Sequence, residues 1–232
     1  MALTDHNSSL NCPAFAKLAP RYNIIPLFGM EAATSEEIHV LCLFSNLESS
    51  MAFSGYAYSI LTPFINIPEI GGDQVFVDED ENIIGEVEYY LVSPLDLTIN
   101  EIGKKAAEYG GIVIPAHVDR LAFSMTSQLG EIIEGPWAAL ECVRIPPVVD
   151  SFPLKTHGYP LITSSDAHYP EHVGRRSFEL DVNIEELLPN GPGTELSMDV
   201  FKAALSKDAL SKASSRRSLL GRPPGQLPGL RT

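Results

Sequence analysis

An aspartate and a histidine two positions apart form the pair in this chain that is best suited to chemistry. They lie in Ser165-Asp166-Ala167-His168, directly after the apolar segment 159–163. In an extended or turn segment, side chains at positions i and i+2 point the same way, so both can bind one metal ion. A carboxylate and an imidazole suit zinc, manganese or iron, and they leave room for a bound water nucleophile. An isolated pair of this kind is more often a capping aspartate beside an exposed histidine, so support from other segments is needed.

Further candidate ligands occur just after predicted strands in other parts of the chain. Together with Asp166 and His168, these residues are Asp5, His6, Glu31 and His117. Active sites of α/β proteins form at the carboxyl ends of strands, so the shared position favours one metal site. His39 instead begins the predicted strand 38–44, and it reaches the same edge only if that strand runs antiparallel to its neighbours. Considered alone, a histidine in an apolar strand is more often a hydrogen-bonded core residue.

The elements that must position these residues alternate between strands and helices. Apolar segments predict strands at 1–4, 23–28, 38–44, 112–115, 138–143 and 161–163. Apolar or amphipathic segments predict helices at 46–62, 97–109, 121–134 and 198–210. The order helix, glycine, strand and loop is typical of an α/β domain. The acidic turn 78–82 predicts a surface hairpin within an insertion at about 63–90. A calcium loop is not predicted there, because the glutamates do not fit its spacing.

Length and composition predict one domain followed by a short tail. The chain has 232 residues, of which 44% are hydrophobic, and this is enough for one substantial core. We assign residues 1–210 to a metal-binding catalytic domain. Residues 211–232 are rich in Ser, Arg, Gly and Pro, and they predict a disordered basic tail.

The net charge of −14 is unevenly distributed along the chain. Residues 1–201 contain 9 of the 16 Lys and Arg and 29 of the 30 Asp and Glu. Such an acidic body repels a phosphate backbone, so nucleic acid is an unlikely partner unless metal ions and a few arginines create a local positive region. Arg175 and Arg176 are expected to be surface partners of the many acids.

The sequence contains neither a membrane span nor a signal peptide by composition, which predicts a cytoplasmic protein with no membrane partner. Three scattered cysteines, Cys12, Cys42 and Cys142, suggest neither a disulfide framework nor a thiolate zinc site. We expect them to be buried or half-buried thiols.

Four motifs in this order resemble the polymerase and histidinol phosphatase (PHP) domain family. They are Leu3-Thr4-Asp5-His6-Asn7, Gly29-Met30-Glu31 with His39, Pro115-Ala116-His117, and Ser165-Asp166-Ala167-His168. The resemblance covers residues 1 to about 181. It implies an α/β fold of the distorted (β/α)7 barrel type, with two or three divalent ions such as manganese, zinc or iron. The chain is most similar to the subgroup of predicted metal-dependent phosphoesterases.

The same resemblance implies a role for each matching residue. The metal ligands would be His6, Glu31, His39, His117, Asp166 and His168, and the last two are also assigned to catalysis. Arg120 matches an arginine that contacts the substrate phosphate in related phosphoesterases. Asp5 is assigned to substrate binding together with Arg120, and it is expected to lie behind the metal ligands.

The predicted function is that of a hydrolase, a phosphoesterase that acts on a small phosphorylated metabolite or nucleotide with a metal-activated water. PHP domains also begin with a His-x-His motif on an earlier strand, which this sequence lacks, so the barrel is predicted to be incomplete at its N-terminus. The alternative is therefore a truncated, non-catalytic metal-binding fragment with a structural or partner-binding role. The acidic body disfavours a polymerase-associated module, and an open sheet edge could be covered in a homodimer.

Overall fold

The computed structural model describes residues 1–149 and 152–206, which form a mixed α/β fold. The predicted α/β class is therefore confirmed at this level. The predicted basic tail at 211–232 lies outside the described residues.

A four-stranded sheet carries the first half of the chain. Its order is β1 (Ala2–His6), β2 (Leu27–Ala33), β3 (His39–Phe44) and β6 (Ile112–Pro115). β1 and β2 are parallel, whereas β3 runs antiparallel to both β2 and β6. The amino end of β3 therefore lies at the carboxyl ends of β1 and β2. This orientation is the one that the sequence required if His39 was to join the other candidates.

Two shorter strands continue the pairing beyond β6. β7 (Leu140–Glu141) and β10 (Leu161–Ile162) are parallel, and an isolated parallel bridge between Val113 and Trp137 links β6 to the segment before β7. Over residues 1–149 and 152–206, no pairing joins β10 back to β1. A closed barrel is therefore not observed in this part of the chain, and the (β/α)7 assignment stays a prediction.

β2 is shifted relative to the predicted strand 23–28: it starts at Leu27 and continues to Ala33, because Gly29 lies inside the strand and does not end it. Every residue from Leu27 to Ala33 is buried. A Cβ atom on Gly29 would overlap the carbonyl oxygen of Cys42 on β3. The glycine thus permits close approach of two strands, a role that a sequence pattern does not distinguish from that of a turn.

Helices cover both faces of the sheet. They are α1 (Cys12–Leu18), α2 (Leu47–Ser59), α3 (Pro68–Gly71), α4 (Ile99–Glu108), α5 (Met125–Leu129), α6 (Ile184–Leu187) and a final helix over 198–206. Short 3-10 turns span Ala19–Tyr22 and Pro170–His172. The predicted helix 121–134 is reduced to α5, because Ser124 caps its start and Gly130, at φ +81°, ends it.

Two buried clusters form the core, one on each face. One contains Phe44 of β3, Phe53 of α2 and Ile102 of α4. The other contains Ile114 of β6 and Leu205 of the final helix. The sheet is thus buried between helices, which holds its strand ends rigidly at the edge where the candidate residues lie.

Two small antiparallel pairs lie outside this sheet. β4 (Val75–Val77) and β5 (Ile83–Glu86) form the predicted hairpin, in whose turn Asp78 accepts hydrogen bonds from the backbone of Asp80 and Asn82. β8 (Val148–Val149) pairs with β9 (Phe152–Pro153). The three cysteines are buried free thiols. Within the described ranges, none of the helices has the length and apolar content that crossing a membrane requires.

Candidate metal centre

Three imidazoles surround one buried carboxylate at the carboxyl edge of the sheet. Glu31 Oε1 lies 3.2 Å from His39 Nδ1 and 3.2 Å from His117 Nε2, and Glu31 Oε2 lies 3.5 Å from His6 Nδ1. Glu31, His39 and His117 are buried, and His6 is half-buried. Four of the predicted ligands are thus in direct contact.

The strand register explains why these four side chains meet. His6, the last residue of β1, pairs directly with Glu31 near the carboxyl end of β2, so both side chains project from the same face of the sheet. His39 begins β3 opposite Ala33, and the antiparallel direction places it beside the same edge. His117 follows β6 in a left-handed conformation at φ +31°, which turns its ring toward Glu31.

The chemistry of this cluster fits a metal ion. His6, Glu31 and His39 offer ligand atoms that all lie within 4.8 Å of one another. The Nδ1 atoms of His6 and His117 are buried and make no hydrogen bond in the part of the chain that the structure describes, although His6 Nδ1 lies 3.5 Å from Glu31 Oε2. A buried nitrogen without a partner is rare in folded proteins, and binding to an ion would satisfy it. Imidazole and carboxylate ligands suit zinc, manganese and iron.

The electrostatics of the cluster favour a charged Glu31 carboxylate beside a neutral His6 ring. Burial by itself would raise the pKa of Glu31, but hydrogen bonds from His117 and His39 outweigh burial and bring the pKa well below its ordinary value. Burial lowers the pKa of His6, and the attraction of Glu31 opposes this only in part. A neutral imidazole beside a carboxylate anion is the state in which both groups can bind a cation.

Asp166 and His168 approach the same cluster from a loop after β10. The His168 ring centroid lies 6.0 Å from that of His6, and its Nδ1 lies 3.6 Å from Asp166 Oδ1. The Asp166 side chain is 15% exposed and that of His168 is 58% exposed. The structure therefore brings all six predicted ligands to one edge, with four grouped around the Glu31 carboxylate and two at the open side of that group.

Three arginines hold this loop, and only Arg120 among them was predicted to belong to the site. Arg120 Nη1 donates to Asp166 Oδ2 at 3.0 Å. Arg175 donates to the carbonyl oxygens of Ser165 and Asp166, and Arg176 donates to those of Ser164 and Ser165. Arg175 and Arg176 thus bind backbone carbonyls, although Arg176 also lies 4.0 Å from the Asp166 carboxylate.

Asp5 lies on the other face of β1 from His6. Its Oδ2 accepts a hydrogen bond from Asn11 Nδ2 at 2.9 Å. Burial raises the pKa of Asp5, and the hydrogen bond from Asn11 opposes that effect. The structure therefore does not bring Asp5 into the group around Glu31, and its substrate-binding role stays a prediction.

A buried glutamate that the sequence analysis missed connects the two parts of the site. Glu141 is 2% exposed, and burial raises its pKa. Its Oε2 accepts the backbone N–H of His117 at 3.2 Å, and its Oε1 accepts the Ser164 hydroxyl at 2.6 Å. A lone acid within the predicted strand 138–143 was the available signal, because a carboxylate in an apolar strand must find hydrogen-bond donors.

Four of the eight non-glycine residues at positive φ in the described part of the chain lie at or beside the site. Non-glycine residues at positive φ include Asn7 (+47°), His117 (+31°), Phe123 (+55°) and Asp166 (+46°). The Asn7 side chain stabilises its turn, since it donates to the carbonyls of Leu91 and Ser93. Such conformations cost about 1–3 kcal/mol each and persist where the surroundings fix them, typically at functional sites.

Two solved structures are similar to this fold. One is the lesion-specific endonuclease PfuEndoQ from Pyrococcus furiosus, at 17% identity and a TM-score of 0.46. The other is Endonuclease Q in complex with a 27-mer duplex substrate that carries an abasic lesion, at 17% identity and a TM-score of 0.45. Each match covers 89% of this chain and 48% of the other, so this chain spans about half the length of either endonuclease. No protein-family model and no curated protein matches the sequence.

This comparison corrects two predictions. The prediction of a small phosphorylated metabolite or nucleotide as substrate is contradicted, because both similar structures are of endonucleases. The prediction that nucleic acid is an unlikely partner is also wrong, since one of them is solved with duplex substrate. The charge argument averaged over the surface, whereas the structure places Arg120, Arg175 and Arg176 around one loop.

Proposed function

We propose that this chain is a metal-dependent hydrolase that cleaves phosphodiester bonds in nucleic acid. The observation that carries the proposal is the buried Glu31 carboxylate with three imidazoles around it, beside an Asp166 loop bound by arginines. Clustered imidazoles and carboxylates bind divalent ions, and guanidinium groups bind phosphate.

The six predicted ligands would hold the metal. A divalent ion bound there would supply a water of lowered pKa and neutralise charge on the phosphate. Glu31 keeps its charge in the buried group, and His117 is fixed at its backbone by Glu141. These residues set the position of the site before any substrate arrives.

Arg120 is the residue best placed to orient the phosphate. One of its five N–H donors is used by Asp166, and its side chain is 42% exposed. Further N–H donors can therefore contact phosphate oxygens while the pair with Asp166 is kept. A planar guanidinium that binds two oxygens would fix the phosphate in one orientation and offset charge that develops on it.

The surroundings of the site favour a polymeric substrate over a small one. The segments 117–124 and 164–176, which carry the arginines, also carry side chains that expose large apolar surface: Leu121 (75% exposed), Phe123 (43%) and Tyr169 (62%). Cationic groups interspersed with exposed aromatic rings are typical of surfaces that bind a nucleic-acid strand. The two endonucleases to which the fold is similar are described as acting on the same class of substrate.

The experiment is metal analysis combined with a cleavage assay on labelled oligonucleotides. We expect bound metal after purification without chelator, and cleavage in manganese that a chelator abolishes. Asp166→Asn should abolish cleavage, whereas Asp73→Asn, a matched change at an exposed aspartate, should not. Metal binding without cleavage of any oligonucleotide would refute the proposal and support a non-catalytic metal-binding role.

A further inference from the structure

An exposed phenylalanine ring lies directly over one of the predicted metal ligands. The ring of Phe123 stacks on that of His39, with centroids 5.0 Å apart and planes 16° from parallel. His39 in turn contacts Glu31 at 3.2 Å. One face of the Phe123 ring is therefore covered by the site itself, and the residue as a whole is 43% exposed.

The backbone holds this ring in a conformation that phenylalanine disfavours. Phe123 has φ +55°, the left-handed region, which is unusual for a bulky residue. Its carbonyl oxygen accepts the N–H of His39 at 3.0 Å, so the strained residue is tied to the start of β3. A ring that served only to fill the core would be buried and would not need this conformation.

The loop that carries the ring is fixed at both ends. Arg120 N donates to the carbonyl of His117 at 2.9 Å, and the buried Ser124 hydroxyl donates to the carbonyl of Arg120 at 2.7 Å. Arg120 and Phe123 are three residues apart on this short loop. A cation for phosphate and an exposed aromatic face are thus presented together by one rigid segment.

We infer that Phe123 is a stacking platform for an unpaired nucleobase next to the phosphate that Arg120 contacts. This inference rests on the proposed function and specifies its substrate as a strand with unpaired bases. A base stacked in a duplex has both faces covered, so only an unpaired base can stack on a protein ring. Stacking of this kind tolerates any base, because every base has an aromatic face.

The test compares a single-stranded oligonucleotide with one of the same length whose bases are replaced by abasic tetrahydrofuran residues. Binding is measured by fluorescence anisotropy on the chelator-treated protein, and kcat/KM is measured in manganese. For Phe123→Leu we expect binding to the base-bearing strand to weaken by about 5- to 150-fold, the range that stacking on one ring contributes. Binding to the abasic strand should not change.

Two further variants serve as controls. Phe123→Tyr keeps an aromatic face and should keep the binding of the base-bearing strand. Tyr22→Leu removes a ring that is 73% exposed at the opposite end of the sheet, and it should leave both strands unaffected. In the kinetic assay, the loss in Phe123→Leu should fall on KM more than on kcat.

Several results would overturn the inference. Equal losses on both strands would mean that Phe123 acts only by positioning His39, and unchanged binding in Phe123→Leu would mean that the ring does not meet the base. If the wild-type chain binds neither strand, the stacking role is also refuted. Absence of metal-dependent cleavage with base-dependent binding intact would refute the proposed catalytic function alone.

Discussion

The candidate site consists of two parts that are held in place in different ways. His6, Glu31, His39 and His117 lie at the ends of strands whose other residues are packed between helices. Asp166 and His168 lie in a loop, where arginine side chains and a serine hydroxyl hold the backbone. We call these the strand group and the loop group.

This difference indicates how each group should respond to substitution. The strand group is fixed by buried apolar packing, so its geometry should withstand changes to surface charges. The loop group is fixed by hydrogen bonds from partly exposed side chains, and each of those bonds contributes only about 1–3 kcal/mol. A single polar substitution can therefore disorder the loop group and leave the strand group intact.

Glu31→Gln should have the largest effect, because Glu31 is the centre of the strand group. Loss of the negative charge should remove the attraction for a cation, so we expect bound metal and cleavage to fall by more than about 100-fold. This is a larger loss than substitution of a residue that only supports a ligand produces. Metal content by elemental analysis and kcat/KM on an oligonucleotide measure it. Glu69→Gln, an exposed change of the same kind, is the control. Undiminished metal content in Glu31→Gln would contradict the assignment of the site.

Glu141→Gln should have the next largest effect, since Glu141 connects the two groups. The amide can keep only one of its two acceptor contacts, to the His117 backbone or to Ser164. We expect metal affinity or activity to fall by about 10- to 100-fold. Titration of the chelator-treated protein with manganese measures the affinity. Glu134→Gln, at an 84% exposed side chain, should be neutral, and an equal effect there would show that Glu141 has no special role.

Arg176→Met should perturb the loop group alone. It removes the bonds to the carbonyls of Ser164 and Ser165, so we expect cleavage to fall by about 10-fold with little change in the strand group. Backbone amide hydrogen exchange at 164–168 should increase, while that of β2 and β3 stays constant. Arg21→Met, at an exposed arginine in a different part of the chain, is the control. Faster exchange throughout the sheet would contradict the division into two groups.

The smallest effect on the site is expected from ionisation of Cys12, which is packed beneath the strand group. A pH titration of stability tests this packing. Burial raises the pKa of the Cys12 thiol to about 11 from 9.0. Above about pH 9 the unfolded chain loses this proton and the folded chain keeps it, so stability present below pH 9 is lost as pH rises toward 11. Denaturant titrations from pH 8 to pH 11 should show a steeper loss in wild type than in Cys12→Ala, by up to about 2–3 kcal/mol. Parallel curves would contradict the burial of this thiol.

The sequence predicted the strand group better than the loop group. Strong apolar patterns mark the strands at 38–44 and 112–115. The carboxyl ends of β2 and β6 lie at the same edge of the sheet, and this places Glu31 and His117 together. The motif with Asp166 and His168 was also recognisable. Arg175 and Arg176, which hold this loop, were predicted to be surface partners of acidic residues. A hydrogen bond from a side chain to a distant backbone carbonyl leaves no periodic signal in the sequence.

Other differences follow from contacts between distant segments. The predicted strand 23–28 stopped before Gly29, because the role of this glycine depends on the carbonyl oxygen of Cys42 in the neighbouring strand. Glu141 was absent from the predicted site, since its partners lie more than twenty residues away. Phe123 was placed in a predicted helix, but the loop before α5 is required to bring Arg120 to Asp166.

The bonds between arginines and backbone carbonyls also have a consequence for solution behaviour. Guanidinium groups stay protonated in proteins, and carbonyl oxygens do not titrate. The contacts of Arg175 and Arg176 with residues 164–166 are therefore the same in mildly acidic and mildly alkaline buffers. A change in activity across that range therefore reports on other groups, such as His6, Glu141 or the substrate, while the arginine contacts beneath Asp166 persist.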